Sequence, residues 1–230
     1  MDGIGNWLTF MNDRRDDVID KVIEHAMLVF WVMLAATAFA VLVGILIRDR
    51  PNARGVAASV GSALQGVTLG TAGVFLVIPS LALFAIFIPI VGIGFWPPFI
   101  ALFMYALLPI MRNTVTGLAG VDQAVLESAR GMGLNARQRL FKVQLPLAWP
   151  VILTGIRVST LLTTGIAAIA VLVGGPGLGF YINDGLTRYP FPNSVESMWT
   201  GMALTVILAL LFDLVFVFLR RVTLSKGLRL

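Results

Sequence analysis

From Gly55 to Met111 the chain contains no Asp, Glu, Lys or Arg. No other feature restricts its fold as much. Crossing a bilayer takes about 20 apolar residues, so this run holds two spans. In lipid each backbone N–H and C=O must find a partner within the protein, which leaves helices as the fold for such a run. Only 13% of all residues are charged and 58% are hydrophobic, whereas a soluble domain is about 25% charged. The sequence is therefore read as an all-α membrane protein. A net charge of +5 does not indicate nucleic-acid binding, because the basic residues sit at span ends. With no cysteine, a disulfide framework and a Cys-ligated metal are both excluded. The opening "MDGIGNWLTFMNDRRDDVIDKVIEH" lacks the basic start and apolar core of a cleavable signal.

Five spans are expected, near 27–47, 57–91, 97–117, 147–173 and 198–219. The second would make about 50 Å of unbroken helix, so Pro79 and Pro89 are expected to break it. The shorter piece would then turn back or lie along the surface. Arg48, Arg50 and Arg54 precede the charge-free run and Arg112 follows it. Basic residues favour the cytoplasmic side, so both ends lie inside and the run crosses twice, turning outside at "GIGFWPP" with Trp96 at the interface.

Residues 112–142 hold five Arg/Lys against two Asp/Glu, which makes that loop cytoplasmic. The basic tail 223–230 is also placed inside. The first 26 residues carry six acids against three bases and are placed outside, as is the stretch with Asp184, Arg188 and Glu196. Within 10–24, Phe10, Val18, Ile19, Val22 and Ile23 stand among charges. They suggest an amphipathic helix on the outer surface, or else a solvated linker.

A polar insert, "ESARGMGLNARQRLFKVQLPLAWP" from Glu127 to Pro150, divides the third span from the fourth. Asp122 stands near the start of a first helix, where an acid is favoured. Gly131 and Gly133 permit a positive-φ turn. Asn135 is the expected N-cap of a second helix, with Leu140, Phe141 and Val143 on an apolar side. Pro146 is expected to stop that helix at Leu145 and begin the next. The result is a rigid hairpin over 122–146, longer than a plain connection requires. The competing reading is an interfacial anchor.

These residues resemble the cytoplasmic motif of membrane subunits in binding-protein-dependent ABC importers. That motif reads E-A-A, three residues, G, nine residues, I, any residue, L-P. Here Glu127-Ser128-Ala129, Gly133, Val143 and Leu145-Pro146 keep each spacing. The resemblance implies a type I ABC importer permease fold over 27–222, with the hairpin as a coupling helix docked on an ATPase subunit. Glu127 would face that ATPase, Gly133 would make the turn, and Pro146 would set the lever into the fourth span. "IPSLALFAIFIPIVGIG", "YALLPIMRNTVTGLAGVD", "GIRVST" and "GGPGLG" are similar to permeases of osmoprotectant importers for glycine betaine, carnitine or choline. Those permeases often have Gln-Thr where this chain has Leu76 and Val77.

No G-x-x-x-x-G-K-[ST] loop occurs, so ATP hydrolysis by that route is not expected here. The resemblance puts ATP and Mg on a partner ATPase, with no cofactor on this chain, and adds an outer solute-binding protein. Five spans give too little wall for a pore, so a second permease is expected, the same chain or a paralogue. The setting implied is a prokaryotic inner membrane, N-terminus out and C-terminus in, with lipid around the bundle.

Arg157 and Asp213 are the charges deep inside predicted spans. Arg157 lies about 16 Å along the fourth, and Asp213 about 10 Å from Arg220 at the cytoplasmic end of the fifth. They are read as a structural or gating ion pair, with separate snorkelling as the alternative. Arg157, Thr160 and Thr164 share one helical face and are candidate pathway lining, as are Pro79 and Ser80 by resemblance. Gly155, Ser159 and Thr163 form a packing stripe; the sequence does not choose between the two faces. "GGPGLG" follows a span and reads as an outer turn, not a dinucleotide loop. His25 has no partner at metal-ligand spacing, so no metal is expected. The nearest rival function is a permease of the same superfamily for an amino acid such as methionine. A membrane enzyme would need intramembrane His, Glu or Cys clusters. A stand-alone secondary transporter would show an internal repeat.

Overall fold

The computed structural model describes residues 3–48 and 56–223. The tail 224–230 and the basic loop with Arg50 and Arg54 lie outside the described residues. Helix α1 (Gly3–Asp13) leads into α2 (Arg15–Ile47), α3 (Val56–Val77), α4 (Ser80–Val91) and α5 (Trp96–Ala119). Next come α6 (Gln123–Gly131), α7 (Ala136–Arg139), a π turn (Leu140–Gln144), α8 (Leu145–Ala167), a 3-10 turn (Ala170–Val173), α9 (Gly179–Arg188) and α10 (Ser194–Thr223). Among the described residues, five helical stretches are long and apolar enough to cross a membrane, and α4 is a shorter apolar helix.

Helix α5 is the centre of the bundle, packed against α2, α8, α3 and α4. Small residues allow the close approach to α8. A Cβ on Gly155 would lie 2.7 Å from both the Pro109 carbonyl and the Asn113 Cβ. Ser159 donates to the Ala106 carbonyl at 3.0 Å across the same seam. Leu28, Val32, Phe84, Leu102, Ile110 and Ile152 fill the core around it.

Three boundaries differ from the sequence expectation. Residues 10–24 do not form one separate surface helix, because 10–13 close α1 and 15–24 are the first turns of α2, which runs unbroken into the first span. The separate amphipathic helix is α1. Trp7 Nε1 donates to Thr200 Oγ1 at 2.9 Å, and Phe10 meets Tyr181 edge to face. Tyr181 donates in turn to Asp17 at 2.5 Å. Burial, helped by that bond and the Asp17 charge, holds the Tyr181 phenol above its ordinary range, so it remains a donor. Second, Pro79 breaks the second apolar stretch but Pro89 does not; α4 continues through it to Val91. Third, the fourth span ends at Ala167 rather than 173, and the residues to Val173 tighten into a 3-10 turn.

Candidate functional site: a braced hairpin and its lever

The hairpin is held by short-range chemistry at each corner. The Asp122 carboxylate accepts from the Ala124 amide at 2.8 Å and caps α6. At the other end, the Leu134 amide donates to the Ala129 carbonyl and the Gly133 amide to the Arg130 carbonyl. This is the paired 6→1 and 5→2 bonding of a Schellman close, with Gly133 at φ +83°. Gly131 stays helical and takes no part in the reversal, which corrects the two-glycine expectation; its Cβ position is open. Asn135 and Gln138 form a reciprocal capping box at 2.9 Å each way. An Arg139 guanidinium N–H donates to the Leu134 carbonyl at 2.9 Å, bracing the turn.

Pro146 does not stop the second helix. Residues Ala136–Ala167 form one apolar rod. Pro146 has no N–H for the Lys142 carbonyl, and the preceding turn widens to absorb it. The Leu145 amide reaches back to the Leu140 carbonyl in π register. That wider turn also rotates the side chains, so Leu140 and Gln144 are buried and Val143 half-buried, while Phe141 is 55% exposed. Phe141 therefore leaves the apolar side on which helical spacing put it. Ala129 is buried, whereas Glu127 and Ser128 are exposed, with the Ser128 hydroxyl turned back to the Ala124 carbonyl. Leu145 is half-buried and Pro146 exposed. Met132, 73% exposed, stands with Phe141 as uncovered apolar surface on the hairpin.

Higher on the rod, Arg157 Nε donates to Asp213 Oδ1 at 2.5 Å and a terminal guanidinium N–H donates to Oδ2 at 2.8 Å. The two-point pair joins α8 to α10 with both groups partly exposed. Thr160 and Thr164 are buried within the chain, and their hydroxyls donate to the Ile156 and Thr160 carbonyls. They do not line an open face, which corrects the sequence expectation. Gly155, Ser159 and Thr163 are buried too, and both stripes pack. Pro79 is exposed and Ser80 half-exposed at the α3–α4 break. His25 is buried and bonds the Thr164 carbonyl and the Leu178 amide. No group of metal-ligating side chains occurs among the described residues.

The family model described as "Binding-protein-dependent transport system inner membrane component" matches residues 40–223. The chain belongs to that family. This permease is 35% identical to the glycine betaine/carnitine/choline transport system permease protein OpuCB of Bacillus subtilis, over 96% of this chain and 95% of the relative. It is 38% identical to the osmoprotectant import permease protein OsmY of Salmonella typhimurium, over 92% of this chain and 83% of the relative. Among solved structures, an inward-facing form of the MetNI methionine ABC transporter superposes with a TM-score of 0.76. That match has 25% identity and covers 90% of this chain and 96% of that one. The permease thus has the type I ABC importer fold, in a family of multi-pass inner-membrane transport components rather than catalysts.

Sequence reasoning missed the π turn, the exposure of Met132 and Phe141, and the hydroxyl of Tyr105. Tyr105 is 4% exposed and donates to the Ile78 carbonyl at 2.5 Å, beside the α3–α4 break. A proline within a long apolar run signals that a carbonyl there needs a new donor. It does not say which residue, distant in sequence, supplies it.

Proposed function

We propose that this chain forms the translocation pathway of an ATP-driven importer for a quaternary-ammonium osmoprotectant such as glycine betaine, carnitine or choline. The observation that carries the reading is the hairpin, cross-braced at each corner and continuous with α8. Glu127 and the apolar Met132 and Phe141 are exposed on it, which suits a protein partner, because uncovered apolar side chains with charges among them are ordinary interface chemistry. That partner is an ATPase subunit holding ATP and Mg, so this chain is not itself the enzyme. A solute-binding protein meets the opposite side, and a second permease copy or paralogue completes the wall. The N-terminus then lies outside and the C-terminus inside.

The solute class rests on relatives named for glycine betaine, carnitine and choline at 35% identity and for osmoprotectant import at 38%. The methionine transporter is more distant, at 25%. The test is uptake by the complete complex in proteoliposomes with labelled glycine betaine and with carnitine and choline as competitors. Saturable uptake that both compete is expected. Methionine uptake with no response to the three quaternary amines would overturn the solute assignment in favour of the amino-acid alternative.

A further inference from the structure

We infer, building on the permease reading, that the polar stripe at the outer end of α2 clasps the far end of the α8 lever, and that His25 in its neutral form is the positioning residue of that clasp. Asp17, Lys21, Glu24 and His25 follow one another at intervals of four, three and one residues, which puts them on one helical face. Each of them meets the connection that leads from α8 into α9. Tyr181 donates to Asp17 at 2.5 Å, and the Lys21 ammonium lies 5.5 Å from the centre of the Phe180 ring. The Gly177 amide donates to Glu24 at 3.1 Å, and the Leu178 amide to His25 Nδ1 at 3.3 Å. The approach is close: a Cβ on Gly177, at φ +113°, would stand 2.9 Å from the His25 Cβ. The stripe precedes residues 40–223, the stretch shared with the family.

The two partners of the His25 ring are backbone groups of fixed polarity. The Leu178 amide can only donate, so Nδ1 carries no proton. The Thr164 carbonyl can only accept, so Nε2, 3.0 Å away, carries it. The seated ring is therefore uncharged and held in one tautomer. Thr164 belongs to the rod that begins in the hairpin, so the ring ties the outer end of that rod to the start of α9. On its other side the same connection is tied to the turn between α4 and α5, where the Gly94 amide donates to the Val173 carbonyl at 3.0 Å. His25 and Leu178 are both fully buried. A proton on Nδ1 would set two donors against each other and leave a buried charge without a partner. Beside the ring on α2, Lys21 and Glu24 pair with each other at 2.9 Å. Residues 158–180, which supply the end of α8 and the connection, hold no titratable side chain. The titratable groups on the other elements around it are Tyr181 and Asp184 of α9, Glu196 of α10, Tyr105 of α5 and Arg14 before α2. Tyr181 is taken by Asp17, Asp184 by Ser197 and Arg188, Tyr105 by the Ile78 carbonyl, and Arg14 lies over the Phe10 ring. None of them is bonded to His25. Acid therefore opens the clasp. A released imidazole takes a proton near pH ~6.5 and the seated one cannot, so the ratio of seated to released ring falls about tenfold for each pH unit below that value.

The test is hydrogen exchange of the purified complete complex at about pH 7.5 and about pH 5.5, either side of the ordinary imidazole value, with rates corrected for the chemical effect of pH. In the wild type, protection across residues 177–181 should fall about tenfold in acid, while the α5–α8 seam keeps its protection. His25→Gln retains an amide donor for Thr164 and does not titrate, so its protection should be the same in both conditions. Unchanged wild-type protection in acid would overturn the inference. An equal loss in His25→Gln would also overturn it, by assigning the effect to the neighbouring carboxylates. The wild-type measurement stands even where the variant fails to assemble. In proteoliposomes with the interior held neutral, outer acid should lower wild-type uptake of glycine betaine by up to about tenfold and leave that of His25→Gln level. Matching pH profiles would overturn the positioning role. Exchange needs no solute, so a complex that loses protection in acid but imports no quaternary amine in either condition counts against the solute assignment and supports the clasp.

Discussion

Asp213→Asn keeps the side chain's shape and removes the charge that faces Arg157. In the folded chain the guanidinium then retains one neutral acceptor in place of two charged ones. Breaking a fully buried ion pair costs about 3–5 kcal/mol, and an exposed pair is worth about 0–1 kcal/mol. The Arg157 side chain is 39% exposed and that of Asp213 24%, so the loss lies between these limits, at about 1.5–2.5 kcal/mol. An unpaired Arg at membrane depth costs about 2.5–3.5 kcal/mol on insertion scales, which sets an upper bound of similar size. For a chain this long, 1 kcal/mol moves the midpoint by about 2–4 °C, so a drop of about 3–10 °C is expected. The assay is thermal unfolding of the purified complex for Asp213→Asn, Arg157→Gln and both together, with the charge-reversed pair as a fourth variant. Because the groups touch, the double variant should lose less than the sum of the singles, by about 1–2 kcal/mol. Strict additivity, with no recovery in the reversed pair, would refute an energetic tie between α8 and α10.

The two hairpin glycines should respond in opposite ways. Gly133→Ala places a side chain at φ +83° and should destabilise the turn by about 1–2 kcal/mol. Gly131→Ala, helical with open space around it, should be neutral or gain about 0.5–1 kcal/mol; equal losses in a melting assay would contradict the Schellman reading. Glu127→Lys should leave membrane insertion intact and lower solute-stimulated ATP hydrolysis in the complete complex; wild-type stimulation would reduce the hairpin to an anchor. Gly155→Ala drives a Cβ to 2.7 Å from the Pro109 carbonyl and should cost about 1–3 kcal/mol as α5 and α8 part, read as a lower melting temperature. Tyr181→Phe should free the first turns of α2 from α9, seen as faster amide exchange across residues 14–20 with the rest of the bundle unchanged.

What the sequence disclosed follows the range of the physics involved. The caps at Asp122 and Asn135 and the reversal at Gly133 were legible, because each depends on bonds within about five residues. The Arg157–Asp213 pairing, 56 residues apart, was legible for another reason. Charges are so scarce within the spans that each has few possible partners. The assignment of Thr160 and Thr164 to a pathway failed. Periodicity shows that residues share a face and is silent on what covers it, and both hydroxyls found carbonyls one turn back. Residues 10–24 looked like a surface helix because their charges suggested water. In the fold, the apolar side they share with the span carries α2 straight on, with Val18 and His25 buried.

The prolines show why the rest was hidden. Pro89, Pro109 and Pro150 lie inside helices that continue through them, and Pro146 is absorbed by a π turn. Only Pro79 ends a helix within the apolar run. Composition does not separate these cases, since each follows a large residue in an apolar stretch. Packing does. Pro109 and Pro150 belong to α5 and α8, which hold one another along a seam tight enough that a single Cβ would not fit at Gly155. Neighbouring helices fix the backbone there, and local adjustment meets the lost bond. Helix α3 packs lightly, with little of its apolar window buried, so little opposes a break. A break inside hydrocarbon still needs a donor for the carbonyl at its corner, and Tyr105 reaches Ile78 from the helix that passes behind it. Whether a membrane proline bends, widens or breaks its helix is therefore settled by what the neighbouring helix can hold or donate.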